Sequence, residues 1–304
     1  MTDEKYTDDI IQKIIEPERR LKEYNGDVRC VTSYEMLDIL HARKATTDVV
    51  RLRSGLPRLD SLLTSFDGGE LTVISGFTKH GKTLFAQTLT QNFSDESHKA
   101  LWFSFEIPAE QFLKQFDDPL PLFILPLELR INDARWLRDR IYEALLKHDI
   151  KAVFIDNTHN ILNLTAGDLT HRVDEFVKQL KSLAMEFNIA VFLLHHTMKQ
   201  KYESLDQTGS HLLRDSSMIA QTADTIIFVI REQADLVNNP GNNVAWLKIT
   251  ENRKNGVFNE YVKLIKIGKF FKEVKNEQEH KAAYEPTRRS HRRADNHPRK
   301  DTDG

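Results

Sequence analysis

The chain has a single cysteine, Cys30, in 304 residues. That excludes an internal disulfide and a zinc site built on cysteine. No apolar run reaches the roughly 18 residues that a membrane-crossing helix needs, so no membrane partner is expected. The opening Met1-Thr2-Asp3-Glu4-Lys5 is acidic and polar, unlike a secretory signal. Charge of one sign is also missing: 43 Lys and Arg stand against 45 Asp and Glu, a net of −2. Any contact with nucleic acid must therefore rest on local patches rather than on an overall field. A reducing cytoplasm, the host's if the source is a phage, is the expected compartment. What remains is ordinary for a globular protein, with 29% charged and 40% hydrophobic residues.

Against that background one stretch stands out. Gly76-Phe77-Thr78-Lys79-His80-Gly81-Lys82-Thr83 reads G-x-x-x-x-G-K-[ST], the phosphate-binding loop of a nucleoside triphosphatase. Glu70 to Ser75 before it is apolar and β-branched enough for a buried strand, and Leu84 to Leu89 after it opens an amphipathic helix. Backbone N–H groups at the start of such a helix surround an anion, and Lys82 would reach the β- and γ-phosphates of ATP. Thr83 offers a hydroxyl to Mg²⁺.

The remaining segments arrange themselves around that loop. Residues 1–50 read as a small helical arm: Ile10, Ile11, Ile14 and Ile15 form a stripe ending near Pro17, and a second helix starts from an N-cap at Ser33 and runs through Met36, Leu37 and Leu40. The arm is too short for a core of its own and must pack on the main domain or on a neighbouring subunit. Ala100 to Phe105 is a second buried strand, and Glu106 follows it directly. If that strand neighbours the phosphate-loop strand, Glu106 faces the nucleotide and can polarise the attacking water; otherwise it caps the helix beginning at Pro108. Asp117 to Pro126 carries three prolines and reads as a loop. After a helix over Asp133–Lys147, Ala152-Val153-Phe154-Ile155 ends in Asp156, the shape of a strand whose aspartate holds Mg²⁺.

Thr165 to Asp168 reads as a flexible loop, and Thr170–Phe187 as an amphipathic helix. The strand after it ends in His195-His196, where a polar sensor of the γ-phosphate fits better than a metal site, because no further ligand lies at the right spacing. Thr225–Ile230 and Val244–Thr250 are further strands, and Tyr261–Ile267 returns against the latter as an antiparallel hairpin. From Lys272 onward hydrophobicity collapses. Residues 286–304 carry six cations against three aspartates, a net of +3, and read as a disordered basic tail.

Taken in order, Leu101 to Pro108, Val153 to Asn157, Leu212 to Ser217 and Gln221 to Asp224 resemble, with the phosphate loop, the RecA-like motor domain of DnaB- and Twinkle-type ring-shaped replicative DNA helicases. The resemblance covers about residues 50–270. It implies an α/β fold, a RecA-like P-loop core with a mostly parallel sheet flanked by helices and a C-terminal antiparallel hairpin. The motor would span 51–272 between the arm and a tail over 273–304. It also implies roles: Gly76 to Thr83 for ATP, Thr83 and Asp156 for Mg²⁺, Glu106 to activate water, His196 to sense the γ-phosphate, and Lys199 and Lys201 in a loop facing single-stranded DNA. Arg253 matches the arginine finger donated to a neighbour's ATP, which implies a ring, usually of six, as the active form. A primase or other replisome protein is the further partner it implies.

Three departures qualify the likeness. Glu251 stands where the family usually has a lysine, Lys79 and His80 are bulky for this loop and could add charge near the phosphates or slow nucleotide exchange, and a motor on its own, with only a short arm in place of a primase or collar domain, is expected. The expected activity is an ATP-driven helicase or translocase on single-stranded DNA. A RecA/RadA-like recombination ATPase and an ATPase that loads or regulates another replication protein are the alternatives.

Overall fold

The computed structural model describes residues 16–23, 29–46, 50–130, 134–158, 169–196, 217–231 and 243–274. The chain divides into two compact units, Met1–Val49 and Val50–Gly304. In the first, α1 spans Glu16–Lys22 and α2 spans Ser33–Thr46. Pro17 lies in the first turn of α1, where a missing N–H costs nothing. The isoleucine stripe lies outside the described residues. The cap of α2 is Thr32 rather than Ser33: Glu35 N donates to Thr32 Oγ1 (3.2 Å) and Thr32 N donates to Glu35 Oε2 (2.9 Å), a reciprocal capping box. Tyr34, Met36 and Leu37 on α2 are exposed.

The second unit is built on a nine-stranded sheet among the described residues, flanked by helices. In chain order its parts are β1 (Arg51–Leu52), α3 (Pro57–Leu63), β2 (Phe66–Asp67), β3 (Leu71–Gly76), α4 (Lys82–Asp95), β4 (Lys99–Ser104) and α5 (Ala109–Leu113). Then come β5 (Phe123–Ile124), α6 (Ala134–His148), β6 (Ile150–Asp156), α7 (Leu169–Phe187), β7 (Ala190–His196), α8 (Ser217–Thr222), β8 (Thr225–Arg231), β9 (Val244–Asn252), β10 (Glu260–Ile267) and β11 (Phe270–Glu273). The large sheet runs β11-β10-β9-β8-β3-β7-β6-β4-β5, while β1 and β2 pair apart from it. Strands β8, β3, β7, β6, β4 and β5 are parallel; β9, β10 and β11 extend the sheet antiparallel.

Because successive strand residues face opposite sides, the near-continuous apolar runs of the parallel strands feed two cores. Ile74, Trp102, Phe154, Phe192 and Leu194 pack on one side with Phe85, Leu89 and Phe93 of α4. Val73, Phe103, Ile155 and Leu193 pack on the other with Leu137 and Ile141 of α6 and Val173, Val177 and Leu180 of α7. The i, i+4, i+7 spacing of those α7 residues is what gives it one buried stripe.

Two expectations are corrected by this sheet. Strand β4 does not neighbour β3, since β7 and β6 stand between them. The proline-rich stretch read as a loop contains β5, whose Phe123 and Ile124 pair with Ala100 and Leu101. The expected C-terminal hairpin is present as β9 and β10, and β11 adds a third strand by pairing with Leu264 to Ile267 of β10. Leu212 to Ser216, Thr165 to Asp168 and the tail from residue 275 lie outside the described residues.

Candidate phosphate site at the carboxyl edge of the sheet

Parallel strands bring their carboxyl ends to one edge, so the residues that follow β3, β4, β6 and β7 meet there although they are far apart in sequence. At β3 the chain leaves through Gly76, whose φ is 142° and whose added Cβ would stand 2.3 Å from the Val229 carbonyl oxygen of β8. Only glycine fits so close to a neighbouring backbone. Lys79 takes a left-handed turn (φ 68°), and Gly81, at φ 98°, hands the chain to α4.

Lys82, the first residue of α4, is 6% exposed. Its Nζ donates to the carbonyls of Gly76 (3.0 Å) and Phe77 (3.1 Å) and lies 3.1 Å from His196 Nδ1. Burial lowers its pKa to about 8, opposed by the Asp156 and Glu106 charges. His80 does not add charge near the phosphates: burial, then the charges of Lys82 and Arg231, lowers its pKa to about 4. Its ring sits against Phe77, and its Nδ1 accepts the Arg231 backbone N–H (3.0 Å), tying the loop to the end of β8.

Thr83 Oγ1 donates to Asp156 Oδ2 at 2.7 Å. Asp156 is 1% exposed, and burial raises its pKa to about 6. A hydroxyl beside a carboxylate is an oxygen donor pair suited to Mg²⁺, which keeps most of its shell for water and phosphate oxygens. Among the described residues no group of three His, Cys, Asp or Glu forms a fuller metal cluster.

Glu106 does not cap the following helix, since α5 has Pro108 at its N-cap and no side-chain capping bond. Its Oε2 instead accepts from Asn157 Nδ2 (2.6 Å) and stands 3.6 Å from His196 Nε2. Hydrogen bonding by His196, then by Asn157, holds its pKa below the usual carboxylate value. Asn157 Nδ2 is also 3.0 Å from His196 Nε2. The other histidine of the pair, His195, is fully buried, with Nδ1 3.2 Å from Thr158 Oγ1.

Phe77 is thus next to the loop carbonyls, and Thr78, Lys79, Gly81, Lys82, Thr83, Glu106 and His196 all line one cavity of about 600 Å³. Lys114, Gln115, Lys266 and Lys269 line it too. None of these four, nor Asn157, was picked out from the sequence. For Asn157 a signal existed, its place directly after Asp156. The lysines near the β10–β11 turn had none, because only the order of the antiparallel strands carries that turn to the carboxyl edge. Lys269 donates to the carbonyls of Lys114 (3.0 Å) and Phe116, pinning the cavity floor.

Arg253 is not brought to this cavity. Asn252 pairs with Thr225 at the start of β8, and Arg253 N donates to the Asp224 carbonyl (2.9 Å). The guanidinium donates to the carbonyls of Ala220 (3.4 Å) and Gln221. β8 separates that end of the sheet from the carboxyl edge by seven residues, about 20 Å of strand. The neighbouring Lys254 is engaged with Asp67 (2.5 Å). Asp224 anchors the start of β3 by accepting from Leu71 N (2.7 Å) and Lys181 Nζ (2.7 Å). Lys199 and Lys201 lie outside the described residues.

Comparison with known proteins places the fold and the family. Over 245 residues the chain is 26% identical to the replicative DNA helicase DnaB of Rickettsia bellii, covering 66% of this chain and 49% of that protein. It spans about half the length of the curated relatives it matches. A solved ATPase domain aligns over 81% of this chain and 99% of its own, with 18% identity and a TM-score of 0.67. A DnaB-like replicative helicase, solved with its interactions with primase, aligns over 88% of this chain and 74% of its own, with 19% identity and a TM-score of 0.63. Those two share the fold. The model of the DnaB-like helicase C terminal domain matches residues 51–116 and 122–272, the stretch that carries the sheet and every element around the cavity, and the chain belongs to that family.

Proposed function

We propose that the chain is the ATP-hydrolysing motor of a ring-shaped DNA helicase that works on single-stranded DNA in replication. The observation that carries this reading is the convergence of Lys82, Thr83, Asp156, Glu106 and His196 at one edge of the sheet, with Thr83 and Asp156 2.7 Å apart. In the reading, Lys82 and the N–H groups at the start of α4 hold the phosphates of ATP. Thr83 and Asp156 would hold Mg²⁺, which would supply charge neutralisation to the phosphates. Glu106, kept ionised by its hydrogen bonds, orients the attacking water and draws off its proton. His196 touches Lys82 on one side and Glu106 and Asn157 on the other, the position of a residue that reports on the γ-phosphate.

Arg253, some 20 Å of strand from the phosphate loop of its own chain, is assigned to the site of a neighbour. A ring of subunits, six by family likeness, follows from that assignment. Lys199 and Lys201 are assigned to the DNA path, where backbone contacts give salt-sensitive binding with little sequence preference. A primase is the further partner, as it is for the solved relative. The arm over 1–50 and the basic tail over 273–304 flank the motor.

The test is ATP turnover with and without single-stranded DNA, with Lys82→Ala as the control. Stimulation by DNA and its loss in Lys82→Ala are expected. Turnover indifferent to DNA would defeat the reading. The Lys82 pKa gives a second check. A bound phosphate favours the ammonium and raises that pKa from about 8. Nucleotide binding near pH 8 should therefore take up protons, read by calorimetry in buffers of different ionisation enthalpy, and Lys82→Ala should abolish the uptake.

A further inference from the structure

Asn157 carries no charge and lies outside the phosphate loop, yet its amide stands where the functional side chains meet. It is 3% exposed, donates to Glu106 Oε2 at 2.6 Å and lies 3.0 Å from His196 Nε2. A proton count shows what that position can do. The Lys82 ammonium has three N–H bonds and three acceptors around it: Gly76 O, Phe77 O and His196 Nδ1. With Nδ1 accepting, a neutral imidazole keeps its proton on Nε2, where it meets the Asn157 amide nitrogen, itself a donor, at 3.0 Å and has Glu106 Oε2 at 3.6 Å, beyond a good hydrogen bond. Once Lys82 turns to a phosphate oxygen, Nδ1 is released and can carry the ring proton. Nε2 then becomes an acceptor for the second N–H of Asn157, whose first N–H stays on Glu106.

We propose that Asn157 is a positioning residue for hydrolysis. It aims the Glu106 carboxylate and ties that aim to the tautomer of His196, so that the arrival of phosphate at Lys82 is relayed to the water-activating group. This rests on Glu106 having the role given above. The simpler alternative is that Asn157 only fills a buried slot, and the two separate in kinetics.

Asn157→Asp keeps the shape of the side chain but replaces the N–H donor with an oxygen facing Glu106. Loss of a hydrogen bond to a charged group predicts a fall in kcat of ~10–100-fold, with KM and the affinity for a fluorescent ADP unchanged. Asn157→Ala should show the same split. In the Asn157→Ala/His196→Ala pair the losses should be less than additive, because both side chains act through Glu106. Wild-type kcat in Asn157→Asp, or equal losses of kcat and ADP affinity, or full additivity with His196→Ala, would overturn the inference. If Asn157→Ala does not fold, Asn157→Asp decides alone. A wild-type chain without ATPase activity would instead overturn the functional reading on which this rests.

Discussion

Arg253→Ala is expected to lower DNA-stimulated kcat by ~10³–10⁵-fold, the range over which an arginine finger acts in phosphoryl transfer, while nucleotide affinity stays at the wild-type value. The split follows from placement. Arg253 stands at the amino end of β8, hydrogen-bonded to carbonyls of Ala220 and Gln221, and makes no contact with the cavity of its own chain. Its removal should therefore leave the phosphate contacts proposed for Lys82 and Thr83 whole. On the proposed reading, what is lost is a cation for the transition state of the adjoining subunit. A mixing experiment isolates this. Lys82→Ala chains lack a working phosphate loop but keep Arg253, and Arg253→Ala chains have the converse. Each should be inactive alone, and a mixture should regain turnover at interfaces that combine an intact loop with an intact finger. No recovery on mixing would move the finger elsewhere.

Glu106→Gln carries the second large effect. The substitution keeps the size of the side chain and an oxygen that can accept from Asn157, but removes the base. General-base action accounts for ~10²–10⁴-fold in rate, so kcat should fall by that much in single-turnover measurements while ATP binding is retained. The depressed pKa of Glu106, caused by hydrogen bonds from His196 and Asn157, fixes the direction of the pH dependence. A carboxylate held low stays ionised through the neutral range, so Glu106 itself adds no decline above the ordinary carboxylate range, and Asp156, raised to about 6, is the group whose protonation should set the acid limb. A limb set by Asp156 should persist in the residual activity of Glu106→Gln. A Glu106→Gln chain that turns over normally would mean that the water is activated without it.

How far the sequence reached depends on what each feature rests on. The phosphate loop was legible because its spacing is dictated by local geometry: Gly76 must pass within reach of the Val229 carbonyl, and Gly81 must begin a helix from a left-handed φ. The parallel strands were legible because burial on both faces demands continuous apolar runs. Strand β5 was hidden by its two-residue length among prolines, and β11 by the charged sequence that follows it. Thr32 and Ser33 are adjacent hydroxyls, and only the backbone entering α2 decides which of them caps it. The contacts of Asn157 with Glu106 and His196 could not be seen in a linear reading, since they need β4, β6 and β7 side by side. The same holds for Lys266 and Lys269, which reach the cavity through the antiparallel extension.

Whether the motor does mechanical work on DNA is settled most directly by strand displacement on a forked duplex, with ATP compared against a non-hydrolysable analogue and with Lys82→Ala as the control. The account predicts that the wild-type chain separates the strands with ATP alone, and that neither the analogue nor the variant supports opening. A chain that hydrolyses ATP in the presence of single-stranded DNA yet leaves the fork closed would contradict it.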